Sequence, residues 1–105
     1  MPGNSVEHAR QQWEEGHRRL EAEVRDRGRA ELLYAQLDAV MGELRRRVGE
    51  TFTLAQLADA YARSEDWARE AVAERAATPG WARTLALVND AAFHVYARGA
   101  TDYRP

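Results

Sequence analysis

The 105-residue chain contains no cysteine, no lysine and no isoleucine. Without cysteine it has no disulfide framework, no thiolate nucleophile and no cysteine-based zinc site. No apolar run approaches the roughly 20 residues that a membrane-spanning helix needs. Polar and charged residues follow residues 1–4, where a secretory signal would carry its apolar core. These absences predict a soluble cytoplasmic protein with no membrane partner.

The overall charge gives no attraction to nucleic acid or to acidic membranes. All 15 basic residues are arginine, against 17 acidic residues, so the formal net charge is −2 and the sequence pI is about 5.9. A nucleic-acid-binding domain would need an excess of positive charge, or at least a local patch of it. The arginine-only, alanine-rich composition is typical of GC-rich bacterial genomes, so we expect a bacterial source.

Apolar residues recur at helical spacing along the chain, and no strand-like alternation occurs. This predicts an all-α fold, a small bundle of four to five helices with a long charged N-terminal helix. We expect a single helical domain over residues 1–105, since this length suits one hydrophobic core. The predicted parts are a frayed N-terminus at 1–4, the long charged helix at 5–27, a helical core at 30–98 and a C-terminal tail at 99–105.

The predicted N-terminal helix has a thin apolar stripe. Val6, Trp13 and Leu20 recur every seven residues, and glutamates and arginines spaced four apart flank them. A stripe this narrow is typical of a helix that seats against one neighbour or pairs with its own copy. We therefore predict a partner-binding surface that includes Val6, Trp13, His17 and Leu20. The alternative is that the stripe packs against residues 33–44 of the same chain.

Residues 30–48 carry the widest apolar face in the sequence and predict the central core helix. This helix ends in Arg45, Arg46 and Arg47, whose charges suit the negative end of the helix dipole. Gly49 follows as the expected helix-ending glycine. The three arginines predict helix-end chemistry first, and a contact for an anion or RNA as the functional alternative.

Within residues 53–75, Leu57 and Ala58 form a leucine–small-residue step on a first helix, and Ser64 stands where a second helix would be capped. This pattern resembles the helix-turn-helix of DNA-binding proteins, which implies DNA binding through residues 53–75. Ala62, however, stands where that family usually has glycine. The second helix also carries four acidic residues against two arginines, which repels phosphates. DNA binding is therefore the alternative function, and nucleic acid is disfavoured as a partner.

Few residues suggest catalysis. Asp90, His94 and Arg98 are spaced four apart on the last predicted helix, where an acid–histidine pair could act as a general base or supply two metal ligands. No nucleophile or third ligand in the sequence completes such a site, so the pattern favours a helix-surface ion pair. Serine occurs only at Ser5 and Ser64, both at predicted caps. The sequence predicts no catalytic residue, no cofactor and no metal site.

We therefore predict a non-enzymatic protein-interaction or regulatory module that acts through helix surfaces, with a protein partner or a homo-oligomer. Tyr103, next to Arg104, adds an exposed aromatic–arginine pair of the type enriched at interfaces. The helix-turn-helix protein and a small helical enzyme are the second and third alternatives. The predicted partner-binding residues are Val6, Trp13, His17, Leu20, Arg45, Arg46, Arg47 and Tyr103.

Overall fold

The computed structural model describes residues 2–28, 30–64, 66–70 and 81–104, with the side chains of 2–5 and 81–83 left aside. The fold is all-α, as predicted, and no strand occurs within these ranges. The helices are α1 (Pro2–Arg27), α2 (Ala30–Arg47), α3 (Leu54–Ala62), α4 (66–70) and α5 (Trp81–Ala97).

The centre of the bundle is α5, whereas the sequence predicts the helix at 30–48. Helix α5 makes its most extensive contacts with α1, then with α2 and then with α3, while α1 and α2 barely touch. Val88, Ala91, Ala92 and Phe93 are all completely buried. The small side chains of Ala91 and Ala92 occupy little space at the middle of α5, so neighbouring helices can approach it closely from several sides.

Helix α1 begins at Pro2, so the predicted frayed end at 1–4 is helical from its second residue, and Met1 lies outside the described residues. Proline suits a first helical turn because that turn has no partner for an N–H group. The helix ends at Arg27, and Gly28 takes a φ of 64°. Glycine adopts this left-handed conformation at little cost, which explains the break before α2.

Gly16 allows α1 to lie directly on α5. A Cβ built at Gly16 would collide with the Cβ of Asp90. Because α5 occupies the space where a side chain would project, any larger residue must push the two helices apart. The packing of the middle of α1 therefore depends on this glycine.

Helix α3 begins with a side-chain cap at Thr53. The Oγ1 of Thr53 accepts a hydrogen bond from the backbone N–H of Gln56 at 3.2 Å, and the Oε1 of Gln56 accepts one from the N–H of Thr53 at 2.9 Å. This reciprocal pair is a capping box. The carboxylate of Asp102 accepts a further hydrogen bond from the N–H of Leu54 at 2.8 Å, so the C-terminal tail is fastened to the start of α3.

Candidate functional site

The two largest side chains of the predicted stripe on α1 lie in the core. Trp13 is 1% exposed and Leu20 is 2% exposed. The indole of Trp13 stacks on Phe93 at 5.6 Å between ring centroids and meets the ring of Tyr61 edge-on at 5.7 Å. These burials correct the prediction that Trp13 and Leu20 bind a partner. The narrow stripe does seat against one neighbour, but that neighbour is chiefly α5 rather than residues 33–44.

Val6 and His17, the other predicted residues of α1, are half-buried in the contact between α1 and its neighbours. The imidazole of His17 lies 4.7 Å from that of His94 on α5, and its Nδ1 is 3.3 Å from Oε1 of Glu21. Burial lowers the pKa of His94, and electrostatic interactions with His17 and Arg98 lower that pKa further. This histidine pair belongs to the α1–α5 contact, and a partner-binding role for Val6 or His17 stays a prediction.

Asp90 and His94 have different partners, so the structure does not form the acid–histidine pair that their spacing allows. The Oδ1 of Asp90 accepts a hydrogen bond from the Tyr61 hydroxyl at 2.7 Å. Burial raises the pKa of the Asp90 carboxyl, while the Tyr61 hydrogen bond and the charge of Arg19 act in the opposite direction. Asp90 thus anchors α3 to α5, and the ridge with Arg98 is not one site.

The three predicted arginines lie at the C-terminal end of α2, and all are exposed. The guanidinium groups of Arg46 and Arg47 both donate to the carboxylate of Glu43, at 2.8 and 3.0 Å. Arg47 also lies over the ring of Trp67, 5.0 Å from its centroid. Two of the three charges are therefore engaged within the chain, which fits helix-end chemistry better than a dedicated anion site.

Tyr103 fastens the C-terminal tail to α1. Its half-buried ring lies under the guanidinium of Arg10, at 5.4 Å from the ring centroid. The same guanidinium donates to the backbone carbonyl of Arg104 at 2.9 Å. Tyr103 and the arginines of α2 therefore lie in separate environments, and the eight predicted residues do not form one surface.

The predicted helix-turn-helix pair corresponds to α3 and α4, and residues 71–75 of its second helix lie outside the described residues. Trp67 and Ala68 are buried, whereas Asp66, Arg69 and Glu70 are exposed. This part of the predicted DNA-reading helix therefore presents two acids and one base to solvent. DNA binding stays a prediction, with no electrostatic support from these residues.

A surface that the sequence reasoning missed lies on a half-exposed side of α2. Tyr34 is 50% exposed, the only large hydrophobic side chain so exposed in the described part of the chain. Leu37 and Met41 beside it pack against the core but are only partly buried, and Asp38 and Arg45 on its flank are exposed. We call these five residues the α2 outer face. The sequence does contain a signal for this surface, because the apolar residues of α2 span a wider arc than one neighbouring helix covers.

The helix surface next to the α2 outer face is open at Gly42. A Cβ built at Gly42, one residue beyond Met41, would meet no atom within 4 Å. The opposite side of α2 packs on α5 and the core through Leu33, Gln36, Val40 and Leu44, which are completely buried. Within the described ranges, neither Asp38 nor Arg45 takes part in an ion pair. The outer face therefore offers both apolar area and charged groups that form no ion pair among the described residues.

A second candidate site is a cavity of about 520 Å³ between α3, α4 and α5, which we call the α3–α5 groove. Ser64, predicted as a helix cap, stands at the start of α4, where its carbonyl accepts from the N–H of Ala68 at 2.8 Å, and its side chain is buried at this groove. Its hydroxyl donates to the backbone carbonyl of Tyr61 at 2.8 Å and accepts from Nδ2 of Asn89 at 2.8 Å. The described residues that line the groove are Tyr61, Ala62, Ser64, Ala68, Arg69, Leu85, Ala86, Asn89 and Asp90.

Asn89, which lines the groove, has an unsatisfied hydrogen-bond acceptor. Its side chain is 7% exposed, and its Oδ1 atom is buried without a hydrogen-bond partner. Buried carbonyl oxygens in folded proteins almost always have a partner. The next residue, Asp90, adds a carboxylate whose pKa burial has raised. The groove thus holds hydrogen-bond acceptors that the chain itself does not fully use.

Two further features bear on function. No helix in residues 2–28, 30–64, 66–70 and 81–104 combines the length and apolarity needed to cross a bilayer. In the same ranges, no three histidine or carboxylate side chains converge in a way that could hold a metal ion. Comparison of the chain with protein-family models, curated proteins and solved structures finds no match.

Proposed function

We propose that this protein is a non-enzymatic interaction module, that its contact surface is the α2 outer face, and that its partner there is a second copy of the chain. The observation that carries the proposal is the exposure of Tyr34 beside Leu37 and Met41. Tyrosine is enriched at the centres of protein interfaces, because its ring buries a large area while its hydroxyl tolerates water. In a single copy Tyr34 is half exposed, and Leu37 and Met41 are partly exposed beside it.

The charges of the α2 outer face complement those of a second, antiparallel α2. Asp38 and Arg45 lie seven residues apart on one flank, with Met41 between them. When two copies pack antiparallel about a twofold axis near Met41, Asp38 of each copy faces Arg45 of the other. A parallel arrangement would instead place equal charges together. The charge pattern therefore favours one self-complementary orientation.

The proposed contact is small. Helix α2 has 18 residues and is therefore about 27 Å long. A single helix pair of this length buries an area at the low end of the range for specific interfaces. Contacts of this size are weak and transient. The exposed charge pairs set orientation and partner choice more than affinity. We therefore expect a dimer that forms and dissociates with protein concentration.

The first test is sedimentation equilibrium over the micromolar to millimolar range. We expect the intact chain to be monomeric at the low end and dimeric at the high end. Tyr34→Arg should abolish association because it places two guanidinium groups at the apolar contact, while Tyr34→Phe should retain it. A chain that stays monomeric over the whole range would overturn the proposal.

Charge exchange tests the orientation. Asp38→Arg alone and Arg45→Asp alone should each be monomeric, since each variant opposes equal charges across the twofold axis. An equimolar mixture of the two variants should dimerise again, because both facing pairs are then opposite in charge. Asp59→Arg, an exposed substitution on α3, is the matched control and should leave association unchanged. A mixture no more associated than its components would rule out the antiparallel arrangement.

The same protein samples test the alternative function, DNA binding. If monomeric protein binds random-sequence duplex DNA at low salt, where nonspecific contacts are strongest, the helix-turn-helix function gains support. If neither DNA binding nor dimerisation occurs, both hypotheses fail.

A further inference from the structure

We infer that the α3–α5 groove is a binding site for a small molecule that carries a primary amine on a short apolar chain. The groove shares no residue with the α2 outer face, so this inference is independent of the proposed dimer. Its volume, about 520 Å³, lies within the range of small-molecule sites. The chemical class of the ligand follows from which polar groups of the groove remain unused.

The unused groups are acceptors. The proton of the Ser64 hydroxyl is donated to a backbone carbonyl, and the Tyr61 hydroxyl donates to Oδ1 of Asp90. The amide nitrogen of Asn89 donates to Ser64, and this leaves Oδ1 of Asn89 without a partner. The carboxylate of Asp90, the next residue in sequence, lines the same groove. A ligand that fits must therefore bring hydrogen-bond donors.

Charge selects an ammonium group among the possible donors. Asp90 is half-buried and supplies a negative charge, and hydrogen bonds between charged groups are stronger than neutral ones. Arg69 is the only cation among the described lining residues, and its side chain is exposed at the edge of the groove. An anionic ligand that reached Arg69 would have to lie near the Asp90 carboxylate, which repels it.

The apolar part of the ligand follows from the remaining lining. Leu85 and three alanines line the groove, and two of these alanines, Ala62 and Ala86, are exposed at its edge. Such small side chains leave room for a short alkyl chain. The ligand class is therefore a short alkylamine rather than an anionic compound.

Binding should depend on pH in a defined direction. Burial raises the pKa of Asp90 above its ordinary value of 3.8, against the opposing effects of Tyr61 and of Arg19 on α1. A bound ammonium group stabilises the carboxylate and lowers this pKa again, so binding releases a proton. Glu15 of α1 and Arg69 of α4 also lie around this end of α5. Affinity for the amine should rise as the pH increases through the pKa of Asp90 and then level off.

The experiment is a titration of the full chain with butylamine, followed by heteronuclear NMR. We expect saturable shifts of the Asn89 side-chain amide and of the Ser64 backbone amide. Butanol and butyrate, of similar chain length but neutral and negative, should each bind roughly tenfold or more weakly, because they lack the charged hydrogen bond. Asp90→Asn should weaken butylamine binding by roughly the same factor, since its amide still accepts from Tyr61 but carries no charge.

Asp59→Asn, which removes an exposed carboxylate of α3 outside the groove, is the matched control and should bind butylamine as the wild type does. Butylamine that produces no saturable shift would overturn the inference, and so would butanol that binds equally well. Tighter binding of butyrate would also overturn it and would assign the groove to Arg69. The monomeric Asp38→Arg variant should retain amine binding, so failure of the dimer and failure of this site are distinguishable.

Discussion

Helices α1 and α2 both pack on α5, but α5 covers them to different extents. The apolar stripe of α1 is one side chain wide, and Trp13 and Leu20 within it are completely enclosed. The apolar surface of α2 is wider, so its inner half fills the core while Tyr34 stays half exposed. The number of apolar residues on a helix therefore does not determine how well it is buried. What matters is the width of the apolar surface relative to the neighbours that can cover it.

The two glycines within these helices show the same contrast. Gly16 of α1 is in direct contact with α5, and no space remains for a Cβ. Gly42 of α2 has open space around it. One glycine is required by packing, and the other occupies an open site on a helix surface.

The largest expected difference between α1 and α2 is in the effect of removing their aromatic side chains, Trp13 and Tyr34. Trp13→Ala should lower the free energy of unfolding by about 3–5 kcal/mol, because it deletes a buried ring that packs against Phe93 and Tyr61. Tyr34→Ala, measured at a concentration where the protein is monomeric, should change it by less than about 0.5 kcal/mol. Urea unfolding followed by circular dichroism measures both. Equal losses for the two variants would mean that α2 is covered as completely as α1.

Alanine substitutions at the two glycines should have smaller effects on the free energy of unfolding, and these effects should be opposite in sign. Gly16→Ala should lower the free energy of unfolding by about 1–3 kcal/mol, because the new methyl group collides with Asp90. Gly42→Ala should raise it by about 0.5–1 kcal/mol, since alanine favours a helix and meets no neighbour. Thermal unfolding of both variants in dilute solution decides the matter. A stabilising Gly16→Ala would show that α1 lies farther from α5 than the structure places it.

The elements of the fold that depend on local chemistry were predictable from the sequence. The capping box at Thr53 and the end of α2 at Gly49, where φ is 86°, both follow from a few neighbouring residues. The central position of α5 was not predictable, because it depends on which helices Ala91 and Ala92 allow to approach. Such pairings involve residues far apart in the sequence, and helical periodicity carries no information about them.

The candidate sites were less predictable than the fold for the same reason. Asn89 and Ser64 are 25 positions apart, and only the folded chain shows that one satisfies the other and leaves Oδ1 of Asn89 unpaired. Trp13 was a candidate for a partner surface because it lies on a narrow apolar stripe, but such a stripe can equally be covered by a neighbouring helix of the same chain. Tyr34 belongs to the same residue class, and exposure alone distinguishes the two.

The smallest expected effect concerns pH, and it too should distinguish α1 from α2. Burial and the nearby charges of His17, Arg98 and Arg10 lower the pKa of His94 below its ordinary value of 6.5, against the opposing charge of Glu14. The unfolded chain therefore binds a proton more readily than the folded chain, and the contribution of His94 to stability is lost as the pH falls below 6.5.

One titrating group limits this dependence to about 1.4 kcal/mol per pH unit. Asp90 changes the stability in the opposite direction at lower pH, because its pKa is raised in the folded chain. The effect of His94 is therefore measured as the difference in free energy of unfolding between the wild type and His94→Gln. That difference should shrink as the solution is acidified from neutral pH, while His8→Gln, an exposed substitution on α1, should track the wild type. Helix α2 contains no histidine, so dimerisation through its outer face should stay constant over this window. A pH-dependent dimer would place the α1–α5 contact in the interface and would remove the distinction between the two helices.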